Sequence, residues 1–335
     1  MLFTTAASVY FGVSYFFQKN PQYLWKPFIH PSKLMQEAIK QRGAKILHIS
    51  HRGGSFENFE NTEKGFENAV QNCDTDVIET DVVLTKDGQV VCFHDTNMLR
   101  LCGVDQEVQQ VNFADIKYEN QIELDFTNKE YFKVPDGQQV KPMLLQELFE
   151  KYPQTHINLE LKTKDPKIIQ VVDSLIKKYN RQNITQWGSF GYQFSQEIEQ
   201  FDSGTVRFLS VTEFFCYMIS HVFGILPFLK IKGKIFQIPF YTTEYHQQTL
   251  NESKGFQRFL TEIRFSILKN FLIFLPGLNQ HLNKRGILVF YWVLNKEQDF
   301  VRCAKTHPNG IITDKPTHLK EYLKITNQCF DKSKF

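Results

Sequence analysis

Nine short apolar runs punctuate this chain, at 46–50, 77–84, 90–94, 157–161, 184–190, 206–209, 235–239, 287–294 and 310–313. Each has the length and bulk of a buried β-strand. Helix-period patterns separate most of them, as at 62–72, 144–151, 166–179, 297–305 and 317–325. Parallel strands need such crossovers, because the chain must return along the sheet before it can run in the same direction again. One pair breaks the alternation. Lys86-Asp87-Gly88 joins 77–84 to 90–94 as a tight turn, so the second run reads as a hairpin partner. Eight parallel strands with crossovers remain. The expectation is an α/β protein built on a TIM (β/α)8 barrel. The stretch 98–140 has no strong period and is expected as a small insertion over the rim, after that hairpin.

A TIM barrel delivers the side chains at its strand C-termini to one face. Glu79 and Asp81 stand two residues apart on the second run, so both carboxylates leave the same side of a strand. Val77, Ile78, Val82 and Val83 make that run apolar on both sides, as in a strand with no solvated edge. Same-face carboxylates repel unless a cation sits between them, and hard oxygen ligands suit Mg2+ or Ca2+. His51 follows the apolar ILHIS, His94 ends VVCFH, and Arg52 is adjacent to the first. Two imidazoles beside a carboxylate-held cation suit phosphodiester cleavage, with metal and arginine taking phosphate charge while the histidines move protons. Glu160 and Lys162 share a face of the 157–161 run and its end, where an ion pair lining the barrel is the plainer reading. Asn295 ends the 287–294 run, and Trp292 within it reads equally as a core aromatic or a substrate platform. Glu60 opens Glu60-Asn61-Thr62, where Thr62 reads as the cap of the following helix.

His51-Arg52-Gly53, Glu60-Asn61-Thr62, Glu79-Thr80-Asp81, Lys86-Asp87-Gly88, His94-Asp95, Glu160-Leu161-Lys162 and Gly310-Ile311-Ile312-Thr313-Asp314 follow one another in order. Together they resemble the glycerophosphodiester phosphodiesterase family, from about Ile46 to Tyr322. The segments HRGGSFENFENT, NRQNITQWGSF, ILPF and YWVLNKEQ are similar to its membrane-anchored lysophospholipase D branch. The resemblance implies that Glu160 joins Glu79 and Asp81 in holding one divalent cation. His51 and His94 are then the catalytic pair, with His51 taken as the base. Arg52 and Lys162 bind the substrate phosphate, and Glu60, Trp292 and Asn295 are further candidates. The implied reaction is metal-dependent hydrolysis of a glycerol-linked phosphodiester. On a lysophospholipid it releases lysophosphatidic acid and the free alcohol. A free glycerol hydroxyl beside the phosphate offers a second nucleophile, through a cyclic phosphate that water then opens. Two other readings stand beside this one. A conventional enzyme would act on soluble glycerophosphodiesters. A catalytically silent, membrane-tethered lipid-binding barrel would have lost a catalytic residue, and none is missing here.

At 335 residues the chain is long enough for one large barrel or two smaller domains. A formal charge of +3 without a basic run carrying interleaved aromatics excludes a nucleic-acid partner. Six scattered cysteines with no CxxC read as buried thiols. The 32 phenylalanines cluster at 11–17, 214–240 and 256–274, which points to apolar surface meant for lipid. Residues 2–18 carry no formal charge and approach the length of about 17 residues at which a helix can span a bilayer. No basic residue precedes them and no small-x-small cleavage site follows. A transmembrane anchor is expected at 1–18, a linker with Pro21, Pro27 and Pro31 at 19–43, and the catalytic domain at 44–327. The basic residues after the anchor favour a cytosolic catalytic domain, and the endoplasmic reticulum or another internal membrane is the expected location. Residues 211–233 include the uncharged FFCYMISHVFGILPFL, expected to face a membrane without crossing it, since the strands on either side close one barrel. A buried core helix fits that pattern about as well. The partners implied are a lysophospholipid or glycerophosphodiester substrate and a membrane, and no protein partner is inferable.

Overall fold

The computed structural model describes residues 2–334 except 126, 128, 129, 134–137, 164, 202 and 203. Its strands in chain order are β1 (Leu47–His51), β2 (Val77–Leu84), β3 (Val90–Cys92), β4 (Gln121–Glu123), β5 (Tyr131–Lys133) and β6 (His156–Leu161). They continue with β7 (Thr185–Gly188), β8 (Val206–Arg207), β9 (Ile235–Pro239), β10 (Leu288–Trp292) and β11 (Gly310–Thr313). Eight of these run parallel in the order β8-β7-β6-β2-β1-β11-β10-β9, and a bridge from Phe208 to Ile235 joins the two ends into a barrel. The expected TIM barrel is present, and β3 is the antiparallel hairpin partner of β2.

The local reasons are simple. All five residues of β1 and all eight of β2 are buried, as the Val- and Ile-rich composition of a two-sided strand requires. Crossover helices are amphipathic. In the helix Lys167–Lys178, Ile168, Ile169, Val172 and Ile176 are buried at helical spacing while Lys177 and Lys178 end the last turn near the carbonyl dipole. Leu47, Ile49, Val77, Phe208, Ile235, Leu288, Phe290 and Ile312 fill the barrel interior. Burial of each such side chain contributes about 1.5–3 kcal/mol. The core therefore holds the strand ends in place, and the strand ends carry the site.

The insertion leaves after β3. It contains the short helix Leu99–Cys102 and the antiparallel pair β4–β5. Leu101, Val108, Ile116 and Ile122 pack under it against Val83, Val91 and Phe93. Part of the expected 98–140 segment lies outside the described residues. Residues 19–43, expected as a linker, include the helix Lys33–Lys40, capped by Ser32, with Leu34, Met35 and Ala38 buried.

The expectation of an N-terminal membrane helix is overturned. A helix does form at Leu2–Lys19, but among the described residues no helix is long and apolar enough to cross a membrane. Freedom from charge is not the same as hydrophobicity: Thr4, Thr5, Ser8, Tyr10, Ser14 and Tyr15 dilute the apolar side chains. Its polar side chains are also used locally. Tyr10 Oη donates to Phe223 O, Ser14 Oγ to Gly224 O at 2.6 Å, and Gln18 Nε2 to His221 O at 3.0 Å. With the spanning helix goes the expectation of a membrane-anchored chain whose catalytic domain faces the cytosol. The 211–233 segment forms the helix Val211–Val222 and the turn Leu226–Phe228. Phe214, Met218 and Leu226 enter the core, while Ile219, Phe223 and Phe228 are exposed.

Gly224 has φ +73°, and a Cβ there would lie 2.3 Å from Ser14 Oγ. Gly224→Ala should therefore push the Leu2–Lys19 helix off its seat. Weakening that local contact by about 1–2 kcal/mol raises the undocked population about tenfold. Limited proteolysis should cleave within residues 2–20 correspondingly faster than in the parent chain. An unchanged cleavage rate would show that the helix is not held by this contact.

Candidate active site

β1 ends at His51, and the chain then turns sharply through Arg52, Gly53 and Gly54, with φ +51°, +80° and +99°. The two glycines are required by space as well as by backbone. A Cβ on Gly53 would meet Phe66 Cδ1 at 2.9 Å, and one on Gly54 would meet Pro316 Cγ at 2.6 Å. This turn aims His51 and Arg52 into the mouth of the barrel, at the C-terminal ends of the strands.

His51 Nδ1 lies 2.5 Å from Asp314 Oδ1. Asp314 follows the last strand and is itself held by Ser55 Oγ at 2.5 Å and Asn295 Nδ2 at 2.8 Å. An Nδ1–H bonded to this carboxylate leaves Nε2 as the working nitrogen, 3.8 Å from Glu79 Oε2. Burial alone would lower the pKa of His51. The charge of Asp314, with that of Glu79, outweighs burial and Arg52, and the pKa is raised. His94, past the end of β3, repeats the motif: Nδ1 lies 2.6 Å from Asp95 Oδ1, and Asp95 is paired with Arg100 Nε at 2.7 Å. Burial and the nearby Arg52 and Lys162 hold its pKa well below the usual imidazole value.

Parallel register explains the acidic cluster. His51 is opposite Glu79 across β1–β2, and Asp81 is opposite Glu160 across β2–β6. The three carboxylates are buried in one region. Lys162 Nζ bridges the last two, at 3.2 Å from Asp81 Oδ1 and 2.7 Å from Glu160 Oε2. Burial would raise the pKa of Asp81, but Lys162, His94 and Arg52 pull it down. Glu79 moves the other way, because burial and the charge of Asp81 both favour its protonated form.

Arg52 is 1% exposed and surrounded by acids. Its Nη1 lies 3.1 Å from Glu60 Oε1, its Nη2 3.1 Å from Asp125 Oδ2, and its Nε 3.4 Å from Asp81 Oδ2. Glu60 also takes both terminal nitrogens of Arg100 at 2.9 Å. Burial pushes the Glu60 pKa up, but Arg100 and Arg52 bring it down to about 2. Glu60 thus sits in a buried Arg–Glu–Arg bridge, beside the carboxylate cluster rather than within it. Thr62 caps the helix Glu63–Glu67, accepting from Gly65 N, as its sequence context indicates.

The cavity among these groups measures about 130 Å3 and is lined by both histidines, the three carboxylates, Arg52 and Lys162. Its opposite wall includes Trp292, whose ring stands 5.8 Å from Phe190 and 5.6 Å from Tyr245. Asn295 lies outside it and reaches the site through Asp314. A larger cavity of about 840 Å3, between the insertion and the Leu145–Lys151 helix, contains neither histidine nor any of the three carboxylates. Among the described residues, no three His, Cys, Asp or Glu side chains are gathered as a metal would draw them. The donors nonetheless fit a hard cation. Asp81 Oδ2 is buried without a hydrogen bond among the described residues, and burial with the charge of Asp81 raises the Glu79 pKa, which a cation between them would oppose.

Sequence alone gives no role to Asp314, Arg100 or Asp125. Asp314 carries a signal, as the last residue of the Gly310–Asp314 motif at a strand end. Arg100 and Asp125 lie in the aperiodic insertion and carry none.

Comparison with known proteins agrees with this arrangement. The glycerophosphoryl diester phosphodiesterase family matches residues 51–318. Human lysophospholipase D GDPD1 is 33% identical over 291 residues, covering 87% of this chain and 90% of the relative. Human lysophospholipase D GDPD3 is 30% identical over 82% of this chain and 84% of its own length. Among solved structures, a glycerophosphodiester phosphodiesterase from Agrobacterium tumefaciens superposes with TM-score 0.56 at 17% identity, covering 83% of this chain and 99% of that one. An Oleispira antarctica phosphodiesterase, solved with the product sn-glycerol-3-phosphate, gives 0.53 at 18% identity over 82% of this chain and 96% of its own. These two show the shared fold. From the family match and the lysophospholipase D relatives, the chain belongs to the glycerophosphoryl diester phosphodiesterase family and is a phosphodiester hydrolase.

Proposed function

We propose that this hydrolase cleaves the glycerol-linked phosphodiester of lysophospholipids, releasing lysophosphatidic acid and the free alcohol. The observation that carries the chemistry is the pair of carboxylate-held histidines facing one small cavity with Glu79, Asp81 and Glu160. The choice of a lysophospholipid rests on two relatives named lysophospholipase D that align with most of the chain.

His51 is assigned as the base. Asp314 is buried and anchored by two further groups, so it fixes both the ring and its tautomer, as the acid of a hydrolytic triad does. The proton comes from water or from the glycerol hydroxyl beside the phosphate. His94, across the cavity, is assigned as the acid. It enters the step protonated, with the substrate's anionic charge opposing the burial and the nearby Arg52 and Lys162 that lower its pKa. It gives that proton to the departing alcohol and is recharged from solvent, to which His51 yields its own. Lys162 offers its ammonium to a phosphate oxygen. The guanidinium of Arg52 is bonded to Glu60 and Asp125, so it adds positive field from behind rather than a free fork. Trp292 shields the site from water on the apolar side. A divalent cation, Mg2+ or Ca2+, held by Glu79, Asp81 and Glu160 would supply Lewis acidity to the phosphate oxygen.

Purified protein offered lysophospholipids and their deacylated glycerophosphodiesters, with products read by mass spectrometry, tests the substrate. Faster turnover of the acylated series is expected, and exclusive use of the deacylated series would reassign it. His51→Ala and His94→Ala should each lower kcat by about 10²–10⁴. Asp314→Asn should fall in the same range with KM little changed, since it removes only the orientation and charge that support His51. Full activity in Asp314→Asn would dissolve the dyad.

Chelation by EDTA should abolish turnover, and added Mg2+ or Ca2+ should restore it. Glu79→Gln should remain inactive at metal concentrations that saturate the parent enzyme. Turnover in metal-free buffer would refute the cation.

Glu60 gives a contrasting expectation. Glu60→Gln should destabilise the fold by about 1–3 kcal/mol, because it removes the counter-charge shared by buried Arg52 and partly buried Arg100, while Asp125 and Asp95 remain as partners. Chemical denaturation reads this directly, and an unshifted midpoint would show that the bridge is not structural.

A further inference from the structure

The cavity has two unlike walls. Charged side chains crowd one, while the other is made by Phe190, Trp292 and Ile312 with a single neutral polar group among them, Gln237. Gln237 lies on β9 and is 6% exposed. It is opposite Phe290 on β10, with Trp292 two residues further along the same strand. Both strand positions therefore point into the barrel.

The Gln237 amide is oriented from the barrel interior. Asn158 Nδ2 donates to Gln237 Oε1 at 2.7 Å. With Oε1 engaged, the two N–H groups of Nε2 remain, and they meet no acceptor among the described residues. The indole Nε1 of Trp292 is likewise buried without a partner among the described residues. On this wall the Gln237 amide is thus a donor with no protein acceptor among the described residues, open to whatever fills the cavity. A phosphate oxygen is better served across the cavity, beside Lys162. Beside apolar rings, a neutral amide suits an uncharged hydroxyl on a carbon skeleton.

We propose that Gln237 donates from Nε2 to the glycerol hydroxyl adjacent to the phosphoester. It thereby selects phosphodiesters of glycerol over those of alcohols lacking that hydroxyl. The inference rests on the phosphodiesterase reading above and adds a specificity determinant to it. Its selectivity comes chiefly from rejection. A ligand that fills the cavity without the hydroxyl displaces water from the amide and offers it no acceptor in exchange.

The test compares inhibition constants for glycerol 3-phosphate and for 1,3-propanediol monophosphate, which lacks only the middle hydroxyl, on the full chain. The parent enzyme should bind glycerol 3-phosphate about five- to tenfold more tightly, the range expected of one buried hydrogen bond. In Gln237→Met the ratio should fall to within about twofold of unity. A ratio of two ligands on the same variant reports only on folded, active protein. Should Gln237→Met fail to fold, Gln237→Leu removes the donor with a smaller side chain that cannot accept from the hydroxyl either, and it should lower the same ratio. A parent ratio near one, or a ratio unmoved by either substitution, would overturn the assignment of Gln237. Turnover that persists alongside that result would leave the phosphodiesterase reading standing. Absence of turnover on every glycerophosphodiester and lysophospholipid would remove that reading, and this inference with it.

Discussion

Buried like charge is the constraint on which the rest of this molecule turns. Glu79 and Asp81 leave the same face of one strand, and Glu160 meets them from the next. In a low-dielectric barrel mouth such a cluster is untenable unless cations are built in around it. The chain provides them from separate elements: Arg52 from the turn after β1 and Lys162 from the end of β6, with Arg100 of the insertion joined to Arg52 through Glu60. Electrostatics therefore ties together parts of the fold that hydrophobic packing alone would leave less closely specified. The insertion shows this best. Its apolar residues cover Val91 and Phe93, but Asp125 and Arg100 fix it over the rim by pairing with Arg52 and Glu60.

Arg52 shows how fully such a network engages one side chain. A guanidinium next to His51 at a strand end invites the role of phosphate clamp. Here its terminal nitrogens are occupied by Glu60 and Asp125, and its backbone N–H by Glu79. Sequence spacing states which side of a strand a residue leaves. It does not state which of several nearby acids will claim it, because those acids come from the following loop, β2 and the insertion.

The legible and illegible parts of this protein divide along the same line. The eight parallel strands were readable because a run of Val and Ile carries its own signal, and the β2–β3 hairpin because Lys86-Asp87-Gly88 joins its strands. The three carboxylates and Lys162 were readable because strand alternation and register place them together. Asp314 ends a legible motif, but its task is not legible, because its contact with His51 spans 263 positions. Arg100 and Asp125 sit where no period exists to argue from. The N-terminal helix was misread for a physical reason. Its lack of charge was taken for an apolar character that its Ser, Thr and Tyr residues deny. Its docking depends on Gly224, about 200 residues away, whose missing Cβ admits Ser14.

Strand order also explains why the cavity has two unlike walls. β2 lies between β1 and β6, so neighbouring register positions bring His51, Glu79, Asp81 and Glu160 onto one arc. β9, β10 and β11 continue around the other arc and present Gln237, Trp292 and Ile312. A phosphodiester is itself unlike at its two ends, with an anionic centre attached to a neutral carbon skeleton. A barrel with its charges confined to adjacent strands can orient such a molecule by desolvation alone. The anion is costly against the rings of Phe190 and Trp292, and the skeleton wins no compensation among the carboxylates and Lys162. Orientation then precedes any individual contact. The hydrogen bonds proposed for Lys162 and Gln237 would act on a ligand that the asymmetry of the barrel has already turned the right way.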